Sequence, residues 1–151
     1  MISRFLFFFI VYLAIPFVVD AQCVNGTKSY PIYKEGARIV ADYDDAGKEI
    51  VRVEYDLIFS SKESIRTLSS SWEYTLYAFA DDGVRDLDLV LYEYDDLIER
   101  WTEVSRDESN AATAEIVVEP EVTKKYKVEV IVSEFYDGYS AARYGLFYIH
   151  D

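Results

Sequence analysis

Asp81, Asp82, Asp86 and Asp88 bring four carboxylates into one short stretch of the chain. Calcium takes its ligands from carboxylates and backbone carbonyls. Asp86 and Asp88 share one face of an extended segment, and Asp81 and Asp82 sit in the adjoining turn, so the four can converge on a calcium ion. A second reading needs no ion: the acids cap the turn and keep it solvated. No cofactor is expected, calcium at this turn being the one exception these residue types allow. Asp42-Tyr43-Asp44-Asp45-Ala46-Gly47 begins like an EF-hand loop. It fails at its fifth position, Ala46, and at its twelfth, where Val53 stands in place of a bidentate glutamate.

Other chemistry is poorly served. His150 is the only histidine and Cys23 the only cysteine. A nucleophile–histidine pair would have to be built at the end of the chain, and neither an intrachain disulfide nor a thiolate zinc site can be made. Paired carboxylates for glycoside hydrolysis exist in number among 28 acids, but their separation is a spatial fact. The aromatic content is 17%. Tyr92, Tyr94, Tyr136, Tyr139 and Tyr148 fall at strand ends or in loops and are expected to leave the core. Trp101, Tyr136 and Tyr139 are the candidates whose rings could stack on a sugar. Strands also favour tyrosine for its fit to a pleated surface, which explains the same residues without a ligand.

These residues need a scaffold, and the alternation of the chain describes one. Trp72, Tyr74, Leu76 and Ala78 fall on one face of an extended run, and Leu87, Leu89 and Leu91 on one face of the next. The spacing predicts two neighbouring antiparallel strands joined by Asp81-Asp82-Gly83. Further strands are predicted at Ile50–Phe59, Ser64–Leu68, Ala114–Val118, Tyr126–Ser133 and Tyr144–Ile149, with Ser60–Glu63 as a polar turn. The run between Asp95 and Arg106 fits a strand–turn–strand or a helical turn, and strand is preferred because sequential strands tend to pair. Many short strands divided by Gly, Ser and Asp argue for a sandwich or barrel. Pro31 and helical spacing of Tyr33, Ala37 and Val40 predict a short helix over Ile32–Tyr43, which Gly36 weakens.

Residues 1–21 carry Arg4, an apolar run from Phe5 to Val19 and a small residue at Ala21, the layout of a cleaved secretory signal peptide. The run is shorter than a membrane span of roughly 20 residues. Residues 22–49 are then a linker with the short helix, and 50–151 the β-sandwich domain. Asn25-Gly26-Thr27 fits a glycosylation sequon, which matters only in a eukaryotic secretory pathway. The formal net charge of −13 repels nucleic acid and anionic membranes.

Asp86-Leu87-Asp88-Leu89-Val90-Leu91-Tyr92, then Pro120 with Tyr126-Lys127-Val128-Glu129-Val130, then Arg143-Tyr144-Gly145-Leu146, form a recognisable succession. From about Ile50 onward the chain resembles secreted bacterial proteins whose β-sandwich is like the pre-peptidase C-terminal (PPC) domain. Some of those relatives carry cysteine pairs near the positions of Asp82, Val84 and Ala141, and this chain has none there. The resemblance implies fold and export and supplies no catalytic residue.

The expectation is therefore an all-β chain: an antiparallel, jelly-roll-like β-sandwich with a short N-terminal helix and a cleaved signal peptide, secreted or periplasmic, monomeric and not an enzyme. Its expected role is a non-catalytic interaction or accessory module for a protein or glycan. A carbohydrate-binding module using Trp101, Tyr136 and Tyr139 is the first alternative and a carboxylate-based hydrolase the last.

Overall fold

The computed structural model describes residues 29–150. The expected signal peptide, Cys23 and the Asn25 sequon lie outside the described residues. Among the described residues one helix, α1 (Ser29–Asp45), precedes eight strands: β1 (Glu49–Ile58), β2 (Ser61–Leu68), β3 (Tyr74–Ala80), β4 (Val84–Asp95), β5 (Arg100–Asp107), β6 (Thr113–Val118), β7 (Lys124–Phe135) and β8 (Ala142–His150). No helix among them is long and apolar enough to cross a membrane.

The strands form two four-stranded sheets, ordered β1-β8-β3-β6 and β2-β7-β4-β5, with every pairing antiparallel. Only β4 and β5 are consecutive and paired; every other connection crosses from one sheet to the other. Eight strands alternating between two sheets in this order make a jelly roll. Closing the roll sets strands from both ends of the chain side by side, with β8 inserted between β1 and β3.

This order corrects the expected central hairpin. β3 pairs with β8 and β6, whereas β4 pairs with β7 and β5. The turn between them carries the chain across the sandwich. Asp81 fixes it by long-range bonds: its N–H donates to the Arg143 carbonyl at 3.0 Å, and its Oδ2 accepts from the Arg143 N–H at 2.8 Å. Its Oδ1 accepts from the Gly83 N–H at 3.0 Å. The expected polar turn at Ser60–Glu63 is also shorter, because β2 already begins at Ser61.

The inward faces of both sheets build the main core. Tyr74, Leu76 and Ala78 of β3 meet Leu87, Leu89 and Leu91 of β4, with Val128 and Val130 of β7 and Leu146 of β8 around them. A second core lies behind the β1-β8-β3-β6 sheet, where Ile32 and Ile39 of α1 cover Phe79, Phe147 and Ile149. For this reason β3 and β8 are buried on both faces and lack a polar outward row.

α1 begins three residues before and ends two residues after the expected span. Pro31 sits in its first turn, where a missing N–H costs nothing. Ile32, Gly36, Ile39 and Tyr43 recur one helical turn apart on the face toward the sheet. Gly47, at φ 75°, ends the helix. The Lys48 N–H returns to the Tyr43 carbonyl at 2.9 Å and the Gly47 N–H to Asp44 at 3.0 Å, the paired bonds of a Schellman cap.

Candidate functional site

The two sheets differ on their outer sides. α1 covers one, and among the described residues no element packs over the other. The open face follows from the pleat: with Leu87, Leu89 and Leu91 turned to the core, the alternate residues Val90, Tyr92 and Tyr94 must point outward. Register sets their neighbours. Tyr92 stands between Lys127 of β7 and Glu103 of β5, and Tyr94 is directly opposite Trp101 of β5. Ile65 of β2 continues the row beyond Lys127, and Glu63 of β2 lies opposite Glu129 of β7.

At one corner of this face the Tyr94 and Trp101 rings meet with centroids 5.0 Å apart. The Lys127 ammonium lies 4.4 Å from the Tyr92 centroid and 5.8 Å from that of Trp101. It also bonds Glu63 Oε1 at 2.8 Å, and this carboxylate holds the lysine above its ordinary pKa. Lys125 Nζ lies 5.9 Å from the Tyr94 centroid. The Tyr92 hydroxyl donates to Glu129 Oε2 at 3.2 Å; burial, then this carboxylate, raises the phenol. Arg106 bonds Glu103 through two nitrogens, at 3.0 and 2.8 Å. The long side chains close over Val90, which is 0% exposed although it faces outward. The result is an open sheet face with aromatic rings at one corner and a mesh of acceptors and donors beside them.

A protein of this kind resembles solved β-sandwiches only distantly. No protein-family model and no curated protein matches the chain. The PPC domain of a Bacillus anthracis collagenase is 13% identical, with a TM-score of 0.46, over 63% of this chain and 85% of that one. A CBM4 carbohydrate-binding module is 15% identical, with a TM-score of 0.41, over 74% and 82% of the two chains. The Yersinia pseudotuberculosis-derived mitogen is 13% identical, with a TM-score of 0.39, over 64% and 82%. The likeness is one of fold.

The structure separates the three aromatic residues singled out as a sugar platform. Trp101 is on the open face beside Tyr94. Tyr136 and Tyr139 are in the β7–β8 connection, against the β3–β4 turn at the other end of β4. There the Tyr136 N–H donates to the Gly83 carbonyl at 3.1 Å, and a Cβ added at Gly83 would stand 2.7 Å from Tyr139 Cδ1. Ten residues of strand between Val84 and Tyr94 put the two places about 30 Å apart, at roughly 3.3 Å per residue. The three do not share a site, and Tyr148, expected to leave the core, is 2% exposed within it, its hydroxyl satisfied by Ser64.

The four aspartates are not gathered either. Among the described residues no group of three or more His, Cys, Asp or Glu is placed to hold a metal ion. Both Asp81 oxygens accept backbone N–H groups. Asp88 Oδ2 accepts from the Ser133 hydroxyl, and Asp82 is exposed in the turn. Asp86 Oδ1 is buried without a hydrogen-bond partner among the described residues, and burial, then Asp88, raises its carboxyl above the ordinary value.

Carboxylates do meet at one end of the sandwich, where Glu93, Glu119 and Glu121 line a cavity of about 290 Å³ with Lys124. Glu93 is ion-paired with Lys124 at 2.6 Å. His150 is not frayed: it is the last residue of β8, 8% exposed, with its ring 4.1 Å from that of Trp72.

Sequence reasoning missed Glu63, Glu103, Lys125, Lys127 and Glu129 as neighbours of the aromatic corner. The alternation of Tyr126–Ser133 gave their side of the strand, since Lys127 and Glu129 oppose its apolar row. Which strands lie beside them is a matter of register, which that alternation does not contain.

Proposed function

We propose that this chain is a non-catalytic, extracytoplasmic accessory module whose open β2-β7-β4-β5 face binds a glycan. One observation carries the reading. One sheet is closed by α1, while the other is open and presents Tyr92, Tyr94 and Trp101 beside a set of charged groups. A pyranose has an apolar face of C–H groups and a rim of hydroxyls. Flat rings receive the first, and Glu63, Glu103, Glu129 and Lys125 are within the same face to receive the second. The module is assigned no reaction: among the acids considered, Glu93 is ion-paired with Lys124 and Asp81 caps backbone N–H groups, and the one histidine is packed on Trp72. Export is inferred from the character of residues 1–21.

The test is a panel of soluble glycan oligomers titrated calorimetrically into the protein and into its Trp101→Ala variant. Binding of at least one glycan is expected. Loss of a stacked aromatic contact is expected to cost about 1–3 kcal/mol, roughly fivefold to a hundredfold in affinity. Failure of every oligomer, or binding indifferent to Trp101, would sink the reading.

A further inference from the structure

The rings of the open face are already occupied by ammonium groups of the chain itself. Lys127 Nζ lies over Tyr92 at 4.4 Å and near Trp101 at 5.8 Å while bonded to Glu63. Lys125 Nζ stands 5.9 Å from Tyr94. The negative face of an aromatic ring attracts a cation, and a carboxylate at its edge reinforces the attraction. Glu63, Glu103 and Glu129 all project from this face. Over longer range, the formal charge of −13 draws polycations toward the protein and repels polyanions.

We infer that the glycan taken by this face carries protonated amines, that is, a polymer of amino sugars; the inference rests on the glycan reading above. Trp101 and Tyr94 stack the sugar ring. The ligand's ammonium takes the place between Tyr92 and Glu63 that Lys127 fills in the free protein. Lysine suits such a role because its charge rides on a flexible four-carbon stem and can swing to solvent. Lys127 is thus a tethered competitor that the ligand displaces, and it keeps the acidic, aromatic site from standing uncompensated. A neutral or acetylated sugar has no group to exchange for that ammonium, and a uronate would bring its charge against Glu63 and Glu129.

The experiment titrates oligomers of glucosamine, N-acetylglucosamine, glucose and a uronic acid, with an oligolysine peptide alongside. The pH is one at which the amines are protonated and the glutamates ionised. The glucosamine oligomer is expected to bind about tenfold or more tighter than its acetylated counterpart, with the gap narrowing as salt is added. Lys127→Met keeps the aliphatic stem and removes the competitor, so it is expected to raise glucosamine affinity about threefold. Glu63→Gln is expected to lower it. Equal binding of the glucosamine, acetylated and glucose oligomers, preference for the uronate, or weaker glucosamine binding in Lys127→Met would overturn the inference while leaving the glycan reading in place. Binding of no glycan, or of oligolysine alone, would overturn both.

Discussion

The Tyr55 hydroxyl occupies the space in which a side chain at Gly36 would begin. A Cβ built on Gly36 would overlap that oxygen outright and stand 2.9 Å from Tyr55 Cζ and 3.3 Å from Phe79 Cζ. Gly145 of β8 does the same from below, since its Cβ would stand 2.6 Å from Phe79 Cε1 and 3.1 Å from Tyr55 Cε1. Two glycines, one in the helix and one in the sheet, thus make room for the Tyr55–Phe79–Phe147 cluster that holds α1 against the sandwich.

Gly36→Ala is therefore expected to destabilise the fold, although alanine is the better helix former. Propensity favours the change by about 1 kcal/mol, while overpacking a fixed ring costs typically 1–3 kcal/mol. Tyr55→Phe in the same chain removes the overlapping oxygen and should recover part of the loss. Chemical denaturation of the single and double variants checks this, and a Gly36→Ala protein more stable than the parent would refute it.

Gly36 also illustrates what the sequence made legible. Read locally it weakens a helix, and the helix is nevertheless longer than expected because tertiary packing decides. The alternation located seven of the eight strands and gave the inward rows of β4 and β7, and that of β3 from Tyr74 onward, since the period of two is a local property. Trp72, expected on the same inward row, lies before the strand and is 43% exposed, and β5 falls in a run whose spacing also fits a helical turn. It left the partner of each strand open. Asp81-Asp82-Gly83 carries the chemistry of a hairpin turn, yet bonds to Arg143, 62 residues away, make it a crossing between sheets. The aromatic corner was half visible for the same reason: Trp101, Tyr92 and Tyr94 are legible as outward aromatics, but that they meet, with Lys127 beside them, comes from register.

A charged seam at the β1–β2 edge predicts how the protein responds to acid. Glu54 Oε1 accepts from Arg52 at 2.6 Å, from Ser64 at 2.8 Å and from Arg66 at 2.9 Å, and the Tyr148 hydroxyl donates to Ser64 at 3.0 Å. Burial pushes Tyr148 up to about 12. Burial is the largest single influence on Glu54 and acts to raise it, but the donors together outweigh it and leave the carboxyl below 4.5. A depressed folded pKa means that the seam's contribution is fully present above the unfolded value and is lost as pH falls through the folded one. Melts of the parent and Glu54→Gln across that range should differ most near neutrality and converge in acid.

Asp86 carries the opposite sign. Its folded carboxyl is raised, so it favours the fold below the ordinary carboxylate range and loses that contribution as pH rises through its folded pKa. Asp86→Asn should accordingly raise the melting temperature slightly at neutral pH, with the gain vanishing in acid. The same measurement bears on calcium. A bound ion would make Asp86→Asn destabilising and would separate melts in chelator from melts in added calcium, whereas the geometry predicts that those two melts overlay.

The aromatic residues at the two ends of the sandwich have different roles. Tyr139 lies against Gly83, and the backbone around Tyr136 ties the β7–β8 connection to the β3–β4 turn through the Gly83 carbonyl. The Tyr139 ring and the Tyr136 backbone therefore hold two connections together at one end of the sandwich. Tyr94 and Trp101 face each other across β4 and β5 at the far end, on the open side. Tyr139→Ala should lower the melting temperature, and Tyr136→Ala, whose ring is 52% exposed, should change it little. Both should leave glycan affinity as it is. Tyr94→Ala and Trp101→Ala should each weaken binding, and together by less than the sum of their separate effects, because two rings in contact act as one platform. Loss of glycan binding in Tyr136→Ala with retention in Trp101→Ala would move the site to the opposite end of the sandwich.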